Sequence, residues 1–519
     1  MARSRMFGFK AGWLIAFVAG MLFCCVGPTP AQEKTPEAPP AKAPATLADL
    51  AEQQRFPQLT KALAKATAAQ ANITQVDGTT ALHWAAHHGA ADAVAGLLRA
   101  GADANVTNLY EVAPLSLACQ IGNAGVVRHL LKADADPNTS LPGGETALMT
   151  ASRTGKLAPV ELLLEKKAKV DTTDRKGQSA IMWAAADGNA EVVERLLKAG
   201  ADPVRQLRSG LSPMLFAARN GHLNVVQTLL AAGVEVNAVT ETSQRGGRNP
   251  GAGVSALRIA VENGHFELAT ALLKVGADPD DQRSGRAPLH VLVHVRKPPR
   301  GDGVSGAPPP QGSGLMTSLA FARELIEVYG ADVNLQLKSG SSGNTRLGTR
   351  GATAFLLASQ TADLPYLKLL HELGADPTIT NHDNTTPLLT AAGLGAASPT
   401  EEAGTEDECL ATVAWLIELG ADVNARNKRG ETSMHGAAYK NFPKMVHYLA
   451  ANGADINLWN QKNRSGWTPL MLAQGFRPGN FKPDKATTLA IEAELRAAGV
   501  EVPPPPARPS VGRKQEYKK

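Results

Sequence analysis

Aromatic residues are scarce, at 5% of 519 positions. A large globular core leans on such side chains. Their shortage, beside abundant alanine, points instead to short helices packed closely side by side. Cysteine is nearly absent. Of the four present, Cys24 and Cys25 lie in an N-terminal apolar run. Cys119 falls in a helix and Cys409 in a loop far away, so no disulfide framework is implied. A charge of one sign is also missing. The formal net charge is +5, and removing residues 1–31 takes away three basic residues and no acids, leaving +2. A near-neutral chain has no global drive toward nucleic acid. There is no nucleophile elbow, no paired-histidine zinc helix and no phosphate loop set between a strand and a helix.

What is present is a repeat. Asp77 to Asn105 reads as helix, turn, helix and extended exit, with one apolar face and nothing of its own to bury it against. Such a unit needs copies as neighbours. The position of Leu82 recurs at Leu115, Leu148, Ile181 and Met214, each 33 residues on. The terminating position runs Gly101, Asp134, Lys167, Gly200, Gly233 at the same period. Thr80-Ala-Leu-His83, Ala113-Pro-Leu115, Ala287-Pro-Leu-His290 and Thr386-Pro-Leu388 open units. Gly101-Ala-Asp103, Gly200-Ala-Asp202, Gly420-Ala-Asp-Val-Asn424 and Gly453-Ala-Asp-Ile-Asn457 close them. With these motifs the chain resembles the ankyrin-repeat family over most of its length. The resemblance implies an all-α solenoid of helix-turn-helix units with short hairpin fingers. It also implies non-catalytic protein binding through the fingers and first helices.

The chain divides into residues 1–31, 32–46, an array over 47–501 and a Pro-rich basic tail over 502–519. The first segment pairs Arg3, Arg5 and Lys10 with the apolar run Ala11 to Val26 and the small-residue site Thr29-Pro-Ala31, the layout of a secretory signal peptide. Two readings stand: a cleaved signal, which makes the protein periplasmic or secreted, and an uncleaved anchor with the repeats on the non-cytoplasmic side. Residues 32–46 read as a disordered Pro/Ala-rich linker. The array starts with a divergent unit, 47–76. The further units are 77–109, 110–142, 143–175, 176–208, 209–253, 254–284, 285–350, 351–382, 383–428, 429–464 and 465–501. Insertions at Thr240–Gly253 and Gln336–Arg350 fall in fingers. Those at Arg296–Gly314, Gly393–Glu408 and Gly475–Asp484 fall between the helices of a unit, and all are expected to be mobile loops.

Thr and Ser before the first helices read as N-caps, and glycine after the second helices as a left-handed cap. Asp134 and Lys167 replace that glycine, so Lys167 is expected to be strained by about 1 kcal/mol. His83, His290 and His435 share one position, which suits a turn-bracing role. His290 and His294 stand i, i+4 but lack further ligands for a metal. No cofactor is expected. Trp84, Trp183 and Phe216 share a position with Leu117, Ile259, Val291 and Leu357, which suits apolar packing. Gly301-Asp-Gly303-Val-Ser-Gly306 has phosphate-loop spacing without the scaffold. Arg300-Gly-Asp302 spells an adhesion tripeptide in a Gly/Pro/Arg-rich loop.

The distributed signal is basic. The expected fingers carry Arg175, Lys176, Arg205, Arg208, Arg245, Arg248, Arg283, Arg286, Arg346, Arg350, Arg426, Lys428, Arg429, Lys462 and Arg464, with Tyr110 and Trp459 as exposed aromatics. Asp174, Asp280, Asp281 and Asp383 interrupt the pattern. Stacking sets these residues in one row, expected to bind another protein with an acidic surface or an anionic envelope polymer. The plainer alternative is charge serving solubility. Two other function classes stay open: an envelope-stress or assembly factor stabilising an exported enzyme, and an enzyme with a site in the irregular C-terminal repeats.

Overall fold

Helices of 4 to 13 residues are marginal alone in water, so each element here depends on its neighbours. The computed structural model describes residues 45–241, 245–246, 249–299, 310–340, 347–396, 399, 401–476 and 483–504. The signal, most of the linker, the Gly301–Gly306 and Arg300–Asp302 motifs and the tail beyond residue 504 lie outside them.

From Thr46 onward the described residues stack as helix pairs. A starter pair, Leu47–Glu52 and Phe56–Leu63, precedes eleven repeats. In the first repeat, residues 77–109, the helices are Ala81–His87 and Ala91–Arg99; in the eleventh, residues 465–501, they are Pro469–Ala473 and Lys485–Ala497. First helices pack on first helices along the whole array. One apolar core runs through them from Ala48 to Leu495. No helix among the described residues is long and apolar enough to cross a membrane.

The caps follow the sequence chemistry. Thr80 accepts from the His83 amide, and its hydroxyl lies 2.9 Å from His83 Nδ1. The other ring nitrogen, Nε2, stands 2.9 Å from the Val112 carbonyl of the next repeat. His435 repeats the first contact with Thr432 at 3.0 Å. His290 cannot, because Ala287 occupies its cap; Nδ1 has no partner and Nε2 lies 3.3 Å from the Ala352 carbonyl. Lys167 is left-handed at φ 60°, like Asp134 at 58°.

Asparagines tie one repeat to the next. Asn105 Oδ1 accepts from the Asp136 amide at 2.7 Å and its Nδ2 donates to the Asp134 carbonyl. Asn72, Asn237, Asn334 and Asn424 bridge in the same way. These five junctions thereby gain side-chain bonds that do not depend on helix packing.

Several described residues of the insertions make defined contacts. The Thr240–Gly253 finger is a small hairpin pairing Arg245–Gly246 with Asn249–Pro250. The returning strand of the seventh-repeat insertion lies on the sixth repeat: the Ser313 amide donates to His265 Nδ1, and the Leu315 amide to Glu267. Its outgoing strand meets the ninth-repeat insertion, where Lys297 pairs with Glu408 at 2.8 Å and the Ala403 amide reaches the Pro299 carbonyl. Beneath them Arg296 holds the Asp363 carboxylate bidentately, at 2.7 and 2.9 Å. Cys409 is not in a loop. It is buried on the helix Glu406–Glu418, which starts inside the insertion behind a Thr405–Glu408 capping box.

Candidate functional site

Apart from the Thr240–Gly253 hairpin, five of the fingers are built from side-chain turns rather than strands. Asn108 Oδ1 accepts from the amides of Tyr110 and Val112. Asp174, Asn381, Asn427 and Asn463 accept from the same two positions downstream. Such a turn presents the two residues after the Asx at its tip. Adjacent tips are joined by backbone: Leu109 N donates to Asp77 O (2.8 Å), Arg175 to Gly143 (2.9 Å), His382 to Arg350 (2.9 Å), Lys428 to Asp383 (2.8 Å) and Arg464 to Arg429 (2.8 Å). The tips therefore advance one repeat at a time.

This edge changes character along the array. Its first fingers are apolar, with Val76 fully exposed, Leu109 75% and Tyr110 58% exposed. Arg175, Lys176 and Arg208 follow as exposed cations. Arg205 lies 3.8 Å from Asp202. Arg283 is held by Asp281 through two bonds of 2.8 and 3.1 Å; that hydrogen bonding raises its pKa and cancels its charge locally. Arg286 is half-buried, and burial, then the neighbouring Arg258, lower its pKa. Among the last fingers Arg350, Arg426, Lys428, Lys462 and Arg464 are exposed and Arg429 is half-buried. The Arg245 side chain, Arg248 and Arg346 lie outside the described residues.

One expected site residue is corrected. Trp459 is 2% exposed, not an exposed finger aromatic. Asp455 caps a single helical turn, Ile456–Trp459, in place of an open finger, and that turn ends with the indole in the core. Nothing in local spacing distinguishes this turn from a hairpin tip.

The first-helix face holds residues that sequence reasoning assigned to packing. Trp84, Leu117, Trp183 and Phe216 are only half-buried. The Arg153 guanidinium stands 5.2 Å from the centre of the Trp183 ring. Their signal was present in the sequence: the largest side chains at this position cluster in the first five repeats. In the tenth repeat a different group forms. Glu431 is buried and accepts from Asn427, Tyr439 and Asn463 at 3.0 to 3.2 Å. It ties the ninth and tenth fingers to the helix Ser433–Lys440. Among the described residues no three His, Cys, Asp or Glu side chains are placed to hold a metal ion.

A family model of ankyrin repeats (3 copies) matches residues 89–174, 115–207, 171–240, 214–296 and 403–482, together more than half of the chain. The chain belongs to the ankyrin-repeat family. Individual ankyrin relatives are similar over shorter stretches. B-cell lymphoma 3 protein homolog of Mus musculus is 31% identical over 158 residues, 30% of this chain and 32% of its own. Protein phosphatase 1 regulatory subunit 12A of Rattus norvegicus is 27% identical over 186 residues, 35% of this chain and 16% of its own. Neurogenic locus notch homolog protein 1 of Mus musculus is 34% identical over 151 residues, 29% of this chain and 5% of its own. The matches thus span no more than about a third of these relatives.

Proposed function

We propose that this ankyrin-repeat protein is a non-catalytic interaction scaffold, acting outside the cytoplasm, whose partner is a protein with an acidic surface. The observation that carries the reading is the hydrogen-bonded finger row. It sets exposed Arg350, Lys428 and Arg464 on backbone-tied tips, with the His382–Asp383 tip between the first two. Charges held at regular spacing favour an oppositely charged surface and speed its encounter more than they add affinity. One relative is named as a regulatory subunit of a phosphatase, which supports a role exercised by binding another protein. The basic, apolar and small-residue segments of residues 3–31 support export.

The test is affinity capture from an envelope extract at low and high salt. Arg426→Glu, Lys428→Glu and Arg464→Glu together should weaken capture and flatten its salt dependence. Unchanged capture would reject the finger row. A single stable partner supports a scaffold, whereas many unfolded clients support an assembly factor. Cell fractionation with the N-terminal segment present or deleted tests the location: repeats retained in the cytoplasm in both cases would refute export.

A further inference from the structure

The first-helix face is open in one half of the array and closed in the other. Four residues past each N-cap, the early repeats carry Trp84, Leu117, Thr150, Trp183 and Phe216. All but Thr150 are half-exposed. The same position in later repeats is covered: Ile259 5%, Val291 4%, Leu357 2%, Thr390 1% and Leu472 1% exposed. In the tenth repeat it is Gly436, and the reason is the chain itself. The turn Gly393–Ala396 passes over it so closely that a Cβ on Gly436 would stand 2.8 Å from the Leu394 nitrogen. Gly393, at φ 109°, lies against the Gly436 carbonyl, and Gly395 against Leu347 of the finger insertion. The buried Lys440 ammonium donates to the carbonyls of Ala403 and Gly404, holding the far side of the same excursion. Two insertions from opposite edges therefore meet over this face and fill it with backbone.

Among the described residues no turn covers this position in the early repeats, which have no insertion between their own helices; the seventh-repeat insertion touches the fifth repeat through Ser313 at Gly221. Three residues beyond the apolar position, Arg153 and Arg219 are both exposed and flank the small Ala186. Asp187 faces Arg153 from the next helix. A stacked nucleobase does not fit, because the Arg153 guanidinium already covers the Trp183 ring. A peptide carboxylate does fit: it can bind an arginine without displacing it from the ring. Packed helices stand about 10 Å apart. The four large positions thus span on the order of 40 Å, the length of about 12 extended residues.

We infer that the first-helix face of the first five repeats docks an extended acidic segment of a partner protein. Its apolar side chains lie on Trp84, Leu117, Trp183 and Phe216, and its carboxylates meet Arg153 and Arg219. The corresponding face of the ninth and tenth repeats is closed to it by the turn Gly393–Ala396. This rests on the protein-binding reading above and specifies where and what kind of segment binds.

The probe is a labelled synthetic peptide of glutamates alternating with leucine and phenylalanine, about 12 residues long to match the extended span. Its binding to the full chain is read by fluorescence anisotropy. The glutamate peptide should bind; versions with lysine for glutamate, or serine for the apolar residues, should bind at least tenfold more weakly. Arg153→Glu with Arg219→Glu should lower affinity at least tenfold, and Trp183→Ala should lower it too. Arg153→Gln with Arg219→Gln, which removes the charges without reversing them, should fall between, with thermal melting checking that loss of the Arg153–Trp183 contact leaves the fold intact. Equal binding of the lysine peptide, of a single-stranded oligonucleotide, or by the charge-reversed protein would overturn the inference. The finger variant Arg426→Glu, Lys428→Glu, Arg464→Glu separates the two claims. If it abolishes partner capture while the Arg153 and Trp183 variants leave capture and peptide binding intact, the scaffold stands and this face is not its docking surface. If peptide binding responds to the face variants but capture ignores the finger variant, the finger reading fails alone.

Discussion

The first five repeats and the last six share their helices and differ in how the turns between helices are tied. In the early repeats one or two polar side chains reach carbonyls at the preceding turn: Asn123 to Gly89, Lys156 to Ile121, Asn189 to Ser152 and Arg153, Asn220 and His222 to Ala186. In the later repeats that place is taken by charge pairs and insertions, led by Arg296 and Asp363, whose side chains are 14% and 6% exposed. A repeat that keeps its period can be closed by weak bonds made many times. One that has lost it is closed by a few strong, buried ones. Breaking one member should therefore have very different consequences in the two halves.

The largest effect is expected at Asp363. Asp363→Ala leaves the Arg296 guanidinium buried without its carboxylate, a loss of about 3–5 kcal/mol. Urea unfolding measures it, and hydrogen exchange should show opening in repeats seven to nine while the first five stay protected. A cost below about 1 kcal/mol, the value typical of an exposed pair, would erase the distinction.

Acid comes next. Burial holds His290, His294 and His435 at pKa values of about 4, well below an ordinary imidazole. Between pH 6.5 and about 4 the unfolded chain binds these protons and the native chain does not. Stability therefore falls as pH falls through that window, by about 1.4 kcal/mol per pH unit for each histidine. All three lie in the later repeats. Among the first five, burial lowers His83 and, less deeply buried, His87. Hydrogen exchange at pH 5 should thus loosen the later repeats first, and His435→Gln should reduce the slope of stability against pH. Uniform loosening would remove this difference between the halves.

Two smaller changes act on caps. Lys167→Gly relieves a left-handed lysine and should stabilise the early repeats by about 1 kcal/mol, seen as a higher Tm. A lower Tm would contradict the strain. Ala287→Thr supplies the hydroxyl that His290 Nδ1 lacks. Thr80 and Thr432 already fit the equivalent cap at 1% and 2% exposure. The gain should be about 0.5–1 kcal/mol, and no gain would mean that His290 needs no such brace.

Whatever repeats was readable in advance. The period, the Thr–His caps and the left-handed Lys167 are local, and five copies average out noise. The exceptions are relationships between distant residues. Arg296 and Asp363 are separated by 67 positions, and no periodicity couples them. Gly436 is an ordinary helix-breaking choice until the Gly393–Ala396 turn is seen against it. Trp459 and Cys409 were misplaced because each sits where an irregular segment turns helical behind a capping side chain. In the finger row, position along the edge was legible; the pairing of Arg283 with Asp281 and the half-burial of Arg286 and Arg429 were not, since they depend on neighbours across the stack.

The backbone bonds between finger tips carry one further consequence. Leu109, Arg175, His382, Lys428 and Arg464 all use the same amide to reach the preceding tip. The donor is the main chain, so the bond is indifferent to the side chain above it. Spacing and spelling are thereby separated: any residue except proline can be written at a tip without moving its neighbours. Such an edge behaves as a ruled line on which a new recognition pattern can be composed one letter at a time.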